Sequence, residues 1–317
     1  MFLGFLRTSR EAVYWMVKKE VIVKKTWIVL LFGLGCSHQV SEIAFNADFS
    51  SQLSEDLKER FQVRTSDTDQ KKKVFEVRRV SEEPIGLLEK LVFGVQYFGI
   101  ETGHLVLEVL PWKWVNGRKV YHMRGMMQTA SWLSRMIYRM DATMESFMDY
   151  ESLFSHRFHF FSEETKRKKA TLEIHDAEKT YFLERSATMS QPMTQREVSS
   201  AITLYAQDHL SALFYVRHLS MRPGSRFSFP LVSEGRSHTV ECVVLRRELR
   251  KTVMGSVQTL VLQPQVALSE PGKKKTEHFL WITDDDRKMP VRLEVKTPLG
   301  SLVAVLNQVH FGYRELD

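Results

Sequence analysis

The chain has 317 residues, 43% of them hydrophobic and 26% charged, a balance that suits a folded protein with a sizeable core and excludes a disordered chain. The formal net charge is +7, but residues 1–35 carry six basic and two acidic side chains, so most of the surplus lies at the N-terminus. There are only two cysteines, Cys36 and Cys242, which excludes a framework of several disulfides.

The first feature in chain order is an export-type N-terminus. Lysines at 18, 19, 24 and 25 precede the apolar run 27–35, which ends beside Cys36. A run of about nine residues is too short to span a bilayer, which needs about 20, but it fits the core of a signal peptide. The sequence therefore predicts a signal peptide over 1–35, with Met16 as a candidate true start and 1–15 as a mis-assigned extension.

The pair Gly35-Cys36 resembles the cleavage site of bacterial lipoproteins, although Gly33 and Leu34 depart from the residues usual at their positions. The resemblance implies acylation of Cys36 and a location on the periplasmic side of the bacterial envelope, anchored to the outer membrane. Cleavage without acylation and a buried helix in a cytosolic protein remain alternatives. Cys242 lies in an apolar run, which indicates a buried hydrophobic residue and not a nucleophile.

Residues 36–86 are predicted to form a polar tether with one short helix, because Leu53, Leu57 and Phe61 recur at a spacing of four. Within this stretch, 74–80 is read as an isolated edge strand. A β-rich domain is expected over 87–310, followed by a tail at 311–317. Its strand-like runs come about every 8–12 residues with turn residues between them, a pattern typical of antiparallel sheets.

One hairpin turn is expected at 101–103, and a polar break is expected at 186–200. Helical patterns follow at 201–206 and at 208–219, where Asp208 can cap the helix and Leu210, Leu213 and Phe214 are apolar. The predicted fold is mainly β, a large curved antiparallel sheet (a half-barrel or flattened barrel) with one central helix packed on its concave face. These three apolar residues are the candidate groove or lid.

Several motifs, taken in order from Leu91 to Leu306, resemble the bacterial envelope family catalogued as domain of unknown function 3108. They comprise 95–109, Asp208 with Ser211 and Arg217, Pro223-Gly224, and Trp281 followed by Asp284, Asp285, Asp286 and Pro290. The resemblance implies an exported β-rich domain with these residues as structural motifs, and it brings no established catalytic residues. The stretch 112–118 departs from the family pattern and is expected to alter one loop.

Three constellations could carry chemistry, and each also has a structural interpretation. The run 284–286 could bind calcium, but it lacks the spaced ligands of a calcium loop, so a turn with an aspartate side-chain hydrogen bond, paired to Arg287 or Arg292, is favoured. Arg217 is expected to pair with a carboxylate such as this run. Ser211 lacks the flanking glycines of a hydrolase nucleophile. His156 and His159 lie three apart in a strand, which argues against a shared metal.

Two functions fit these features. The favoured one is a non-enzymatic, membrane-tethered envelope protein that binds or scaffolds a hydrophobic or glycan-type envelope ligand, or a protein partner. The alternative is an envelope hydrolase acting on peptidoglycan or lipid. No metal and no cofactor is expected. The basic clusters at 71–73, 166–169 and 273–275 are read as solvated loops, so nucleic-acid binding is not expected.

Overall fold

A computed structural model describes residues 49–67, 74–80, 82–136, 138–266, 276–297 and 300–314. The expected signal peptide and Cys36 lie outside these residues. Within the described residues there are three short α-helices, namely α1 (Glu55–Arg60), α2 (Ser131–Met136) and α3 (His209–Tyr215). The strands are β1 (Lys90–Tyr97), β2 (Ile100–Val115), β3 (Arg118–Thr129), β4 (Met140–Asp149), β5 (Ser155–Glu164), β6 (Arg167–Asp176), β7 (Lys179–Thr188), β8 (Thr194–Ala201), β9 (Arg226–Ser233), β10 (Arg236–Thr252), β11 (Gly255–Val266), β12 (Glu277–Thr283), β13 (Pro290–Thr297) and β14 (Gly300–His310).

All these strands belong to one antiparallel sheet, in the order β8-β7-β6-β5-β4-β3-β2-β1-β14-β13-β12-β11-β10-β9. Strands β1–β8 form one meander and β9–β14 form another, and within each meander strands that follow one another in sequence are paired. The two meanders join at the centre of the sheet, where β1 pairs with β14. In that central pair, Lys90 lies opposite His310 and Tyr97 lies opposite Leu302. The prediction of a mainly β fold built on one large antiparallel sheet is confirmed.

The sheet curls so that its two ends meet without strand pairing. The β9–β10 turn, Glu234-Gly235, lies on the face of β6–β8, where the Glu234 carboxylate is 3.3 Å from Lys169 Nζ and 3.1 Å from Arg196 Nη2. Gly235 has a φ of +73° and lies so close that an added Cβ would be 2.9 Å from Cβ of Phe182. Only glycine fits this turn, because it combines a left-handed backbone with close packing.

The two faces of the sheet carry separate apolar cores, because successive side chains of a strand point to opposite faces. The concave core contains Phe93, Leu107 and Met123 together with Leu210 and Phe214 of α3. On the convex face, Leu57 of α1 and the following Phe61 pack against a second cluster, which contains Val115, Val120, Phe147, Leu172, Ile174 and Leu183. Phe61 is fully buried there.

Of the described residues before β1, several are packed on the sheet more closely than a loose tether would be. Residues 49–67 lie on the convex face, and Glu83 and Ile85 are buried at 5% and 1% exposure. The stretch 74–80 is not a strand in the structure, although the backbone N–H groups of Arg78 and Arg79 donate to the Glu151 carbonyl. Leu57, Phe61 and Ile85 are buried, whereas Val74 and Val77 are 91% and 66% exposed.

Some element boundaries differ from the sequence expectations. The first hairpin turns at Phe98-Gly99, so 101–103 lies inside β2. The polar break at 186–200 contains the end of β7 and most of β8, whose side chains are mainly exposed because β8 is an edge strand. The stretch 202–206 is not helical, and the 112–118 region forms the end of β2 and its turn. Polar composition hid β8 because an edge strand buries little apolar surface.

Candidate functional site

The segment 202–219, which contains α3, crosses the concave face. Asp208 begins the helix, and its Oδ1 accepts hydrogen bonds from the backbone N–H groups of Leu210 and Ser211 at 2.7 and 2.8 Å. Ser211 Oγ in turn accepts from the Asp208 N–H at 2.9 Å, which completes a capping box. Ser146 on β4 donates to the second carboxylate oxygen at 2.6 Å and so fixes the helix on the sheet.

The candidate groove residues are mostly core residues in the structure. Leu210 and Phe214 are each 2% exposed, and only Leu213 is half-buried. The helix covers the apolar concave face as expected, but in doing so it uses these side chains for internal packing. Because two of the three are closed off from solvent, this face does not present them to a ligand.

Arg217 is fully buried, in the short 3₁₀ turn after α3. Its guanidinium forms a two-pronged ion pair with the Glu89 carboxylate, at 2.6 and 2.8 Å. It also donates to the carbonyls of Pro84 and Arg287, at 2.7 and 3.0 Å. The expected pairing with the Asp284 carboxylate run is therefore wrong. Arg217 does reach the backbone of that turn, but its charge is balanced by Glu89, which sequence reasoning did not single out.

A second buried polar group lies beside this pair. The Glu83 carboxylate accepts from Tyr121 Oη at 2.5 Å and from Arg79 Nε at 2.9 Å. Burial is the main reason that the pKa of Tyr121 is well above its usual value, so the phenol keeps its proton. His218 Nε2 is 3.9 Å from Glu83. Burial, and then the charges of Arg217 and Arg79, lowers the pKa of His218 to about 3.

A third buried cluster joins β3, β4 and β5. Asp149 has no exposed surface, forms an ion pair with Arg118, and lies 2.9 Å from His156 Nε2. Burial by itself would raise the pKa of Asp149, but hydrogen bonds from Arg118 and His156 outweigh it and hold the pKa well below its usual value. Asp149 also accepts from two backbone N–H groups of the following turn. The cluster therefore anchors this turn.

The acidic run 284–286 forms a turn. Oδ1 of Asp285 accepts from Thr283 Oγ1 at 2.6 Å and from the N–H groups of Arg287 and Lys288, each at 3.0 Å. The expected aspartate hydrogen bond is present, but the ionic partner is Arg247, which pairs with Asp284, and not Arg287 or Arg292. Within the described ranges, no group of three or more histidine, cysteine, aspartate or glutamate side chains is arranged to hold a metal ion.

Trp281 and Pro290 flank this turn on β12 and β13. Trp281 is 4% exposed, and its Nε1 donates to Glu248 at 2.6 Å. The guanidiniums of Arg250 and Arg292 lie over its ring, 4.9 and 5.3 Å from the ring centre. Pro290 is the first residue of its strand, a position where the lack of an N–H costs no ladder hydrogen bond. Both residues act in packing within the sheet.

One pair of side chains resembles part of a hydrolase site. His209 Nε2 lies 3.0 Å from Ser233 Oγ on β9. Burial lowers the pKa of His209, which favours the neutral form that a general base needs. However, His209 Nδ1 is buried without a hydrogen-bond partner among the residues that the structure describes, so none of these residues supplies a third group that orients the ring. No local pattern indicates this pair, because its members lie 24 residues apart.

A cleft of about 470 Å³ lies on the convex face, between the segment 53–63 and strands β5 and β6. Its lining combines side chains of both charges with apolar ones, namely Leu53, Glu55, Lys58, Glu59, Gln62, Val63, Arg157 and Leu172. The guanidinium of Arg157 donates to the Phe61 carbonyl at 2.7 Å, so the wall formed by the α1 segment is fixed to the sheet. Clefts of this size suit small ligands.

Comparison with known proteins places the chain in a family. Residues 92–307 match the family described as protein of unknown function (DUF3108), and the chain belongs to that family. The resemblance to it that the motifs indicated is confirmed. No curated protein matches the chain.

Two solved structures are similar in part. A β-barrel-like protein of domain of unknown function DUF1849 from Brucella abortus shares 11% identity, with a TM-score of 0.45, over 72% of this chain and 99% of that one. A protein with a YmcC-like fold from Bacteroides fragilis NCTC 9343 also shares 11% identity, with a TM-score of 0.29, over 72% and 97% of the two chains. No helix among the described residues is long and apolar enough to cross a membrane.

Proposed function

We propose that this protein is an exported, membrane-tethered envelope module that binds a polar, glycan-type ligand and catalyses no reaction. Export and tethering rest on the signal-like residues 1–35 and on Cys36. The observation that carries the binding role is the mixed-charge cleft on the convex face. Glycan ligands present many hydroxyl groups, and a lining of carboxylates, a lysine, an amide and an arginine offers both donors and acceptors to them.

The concave face is a weaker candidate for a hydrophobic ligand. Leu210 and Phe214 are buried there, and the Arg217 guanidinium is paired with Glu89. An acyl chain would have to displace α3 and expose this ion pair, whose separation in a low-dielectric interior is costly. The convex cleft needs no such rearrangement, which is why we favour it.

The test is calorimetric titration of the exported protein with soluble peptidoglycan fragments, comparing two variants. Gln62→Trp places a large side chain in the cleft lining, whereas Ser66→Trp adds the same bulk at an exposed position outside that lining. We expect Gln62→Trp to abolish binding and Ser66→Trp to bind as the wild type does. Equal binding by all three proteins, or none by the wild type, would remove the cleft as the glycan site.

The His209–Ser233 contact supports a hydrolase as a second candidate. A serine activated by a histidine reacts with fluorophosphonate probes, whereas an ordinary buried serine does not. We expect no labelling of the folded protein, because no residue in the described part of the chain orients His209 through Nδ1. Labelling that disappears in Ser233→Ala would favour the hydrolase over the binding module.

A further inference from the structure

Strands β10 and β11 extend beyond both of their neighbours. Strand β9 pairs with β10 only as far as Val243, and β12 pairs with β11 only from Thr259 to Leu262. The strand residues between these limits pair with each other, down to Thr252 opposite Gly255. At the tip, Thr252 Oγ1 donates to the Gly255 carbonyl and accepts from the Met254 N–H, each at 3.0 Å. Residues 245–258, here called the β10–β11 ribbon, thus form a two-stranded extension, of which Met254 packs against the concave core.

The β10–β11 ribbon exposes apolar and basic side chains together. Leu249 and Val253 are 64% and 49% exposed, which is high for aliphatic residues so close to one another in a folded protein. Between and beside them lie the exposed Arg246, Arg247 and Lys251. An isolated exposed leucine needs no explanation, but apolar residues interleaved with cations at the tip of a projection form a distinct surface.

Two carboxylates pair with cations of the β10–β11 ribbon, whereas Asp285 and Asp286 in the neighbouring turn are exposed. Glu248, its one acidic residue, accepts from Trp281 Nε1 at 2.6 Å and from Arg246 and Arg250 at 2.8 and 2.9 Å. Asp284 in the neighbouring turn pairs with Arg247. The net charge of the ribbon is therefore positive, and Lys251 near its tip projects into solvent.

Further apolar and basic residues lie at the same end of the strands. In an antiparallel meander the β10–β11 and β12–β13 turns are at one end, and β14 finishes there beside the start of β1. At this end Leu88 and Tyr313 are 43% and 68% exposed, and the Arg287 guanidinium lies 5.2 Å from the ring centre of the exposed Phe311. The β10–β11 ribbon is thus part of a larger apolar and basic end.

We infer that the β10–β11 ribbon docks on an anionic phospholipid membrane surface, with Leu249 and Val253 entering the headgroup region and the flanking cations contacting lipid phosphates. Interfacial membrane segments combine apolar side chains that enter the boundary with lysine and arginine that attract anionic lipids. A nucleic acid would use the cations but leave the apolar tip in water. A second copy of the ribbon would repel the first, because both are positively charged.

This contact goes beyond the proposed glycan-binding role and does not depend on it. It is also separate from the lipid anchor, because it requires no acyl chain. Acylation at Cys36 would hold the protein near a membrane, whereas the ribbon would orient one end of the strands toward that membrane. The experiment therefore uses the exported chain with Cys36→Ala, which removes the anchor.

In that background, Val253→Cys is labelled with an environment-sensitive fluorophore; the remaining native cysteine, Cys242, is 2% exposed and stays unlabelled. The matched control is Phe98→Cys, which is 59% exposed in the β1–β2 turn at the opposite end of the strands. Vesicles are made of phosphatidylcholine alone or with phosphatidylglycerol. We expect a blue shift of emission for the label at 253 with anionic vesicles only, and no shift for the label at 98.

Adding Lys251→Glu to the 253-labelled chain should weaken its binding to anionic vesicles about tenfold, because it reverses one charge near the membrane. The effect should fade as salt is raised, because salt screens charges on the scale of the Debye length. No shift at 253, equal shifts at 253 and 98, equal shifts with both vesicle types, or unchanged binding of Lys251→Glu would each overturn the inference. Binding that follows protein partners and not lipid composition would do so as well.

Discussion

The Arg217–Glu89 pair offers the most direct test of how the interior is held together. Arg217 is 0% exposed and Glu89 is 1% exposed, and two hydrogen bonds join the guanidinium to the carboxylate. Replacing Arg217 with Met keeps most of the volume but leaves the Glu89 carboxylate buried and without its cation. Breaking a buried pair in this way costs roughly 3–5 kcal/mol of unfolding free energy. The carbonyls of Pro84 and Arg287 also lose their donor, which adds to the loss.

The double variant Arg217→Met with Glu89→Leu separates charge from packing. It removes the unpaired carboxylate, so it should be more stable than Arg217→Met alone, although the two carbonyls still lack a donor. The coupling between the two sites should therefore amount to at least about 2 kcal/mol, since residues in one ion-pair network are not additive. Urea unfolding followed by circular dichroism measures all four proteins of this cycle.

The matched control is the pair Arg139–Asp141, which has a similar distance of 2.7 Å but side chains that are 53% and 28% exposed. Exposed pairs contribute about 0–1 kcal/mol, so Arg139→Met should change the unfolding midpoint little. If Arg217→Met is no more destabilising than Arg139→Met, or if its effect and that of Glu89→Leu simply add, the pair does not hold the interior in the way described.

Other consequences can be checked with the same unfolding assay or with simple labelling. Phe214→Ala should lower the free energy of unfolding by about 3–5 kcal/mol through lost burial and a residual cavity, whereas Phe98→Ala, at an exposed turn, should lower it little. Equal losses in the two variants would show that α3 is not packed as described. The folded-state pKa of His218 is about 3, below its usual 6.5, so the unfolded chain binds a proton at a higher pH than the folded protein does. The free energy of unfolding should therefore decline as the pH falls from about 6.5 to 3, and His218→Phe should weaken that decline. Burial raises the pKa of the Cys242 thiol to about 12, so thiol reagents should label it only after unfolding, and labelling of the folded protein would contradict its burial. Cys36→Ser should move the protein from the detergent fraction to the soluble fraction if Cys36 is acylated, and an unchanged distribution would exclude the lipid anchor.

Much of the fold follows from local sequence patterns. Alternating apolar residues and turn residues at regular spacing predict most strands from β3 onward, because hairpins depend on contacts between neighbours in sequence. The capping box at Asp208 and Ser211 is likewise local, since both residues lie within one helical turn. The turn at 284–286 has the same origin, because an aspartate side chain bonds the backbone that directly follows it.

The site was less accessible to sequence reasoning because its contacts join distant segments. The buried carboxylate of Glu89 meets Arg217 across 128 positions, and nothing near either residue indicates that pairing. The convex cleft forms only because the segment 53–63 packs on β5 and β6, which the polar composition of that segment disguised. The His209–Ser233 contact depends on the curvature of the sheet in the same way.

Local chemistry by itself determines the mainly β class and the position of the central helix, because hydrophobic periodicity and capping act within a few residues. Tertiary structure alone decides which charges are paired, which apolar side chains are used up in the core and which remain exposed. Closure of the sheet through Glu234-Gly235 illustrates the reason, since that turn acquires its role only when β6–β8 curl around to meet it. Burial and pairing are properties of the whole packed molecule, whereas periodicity is a property of the chain.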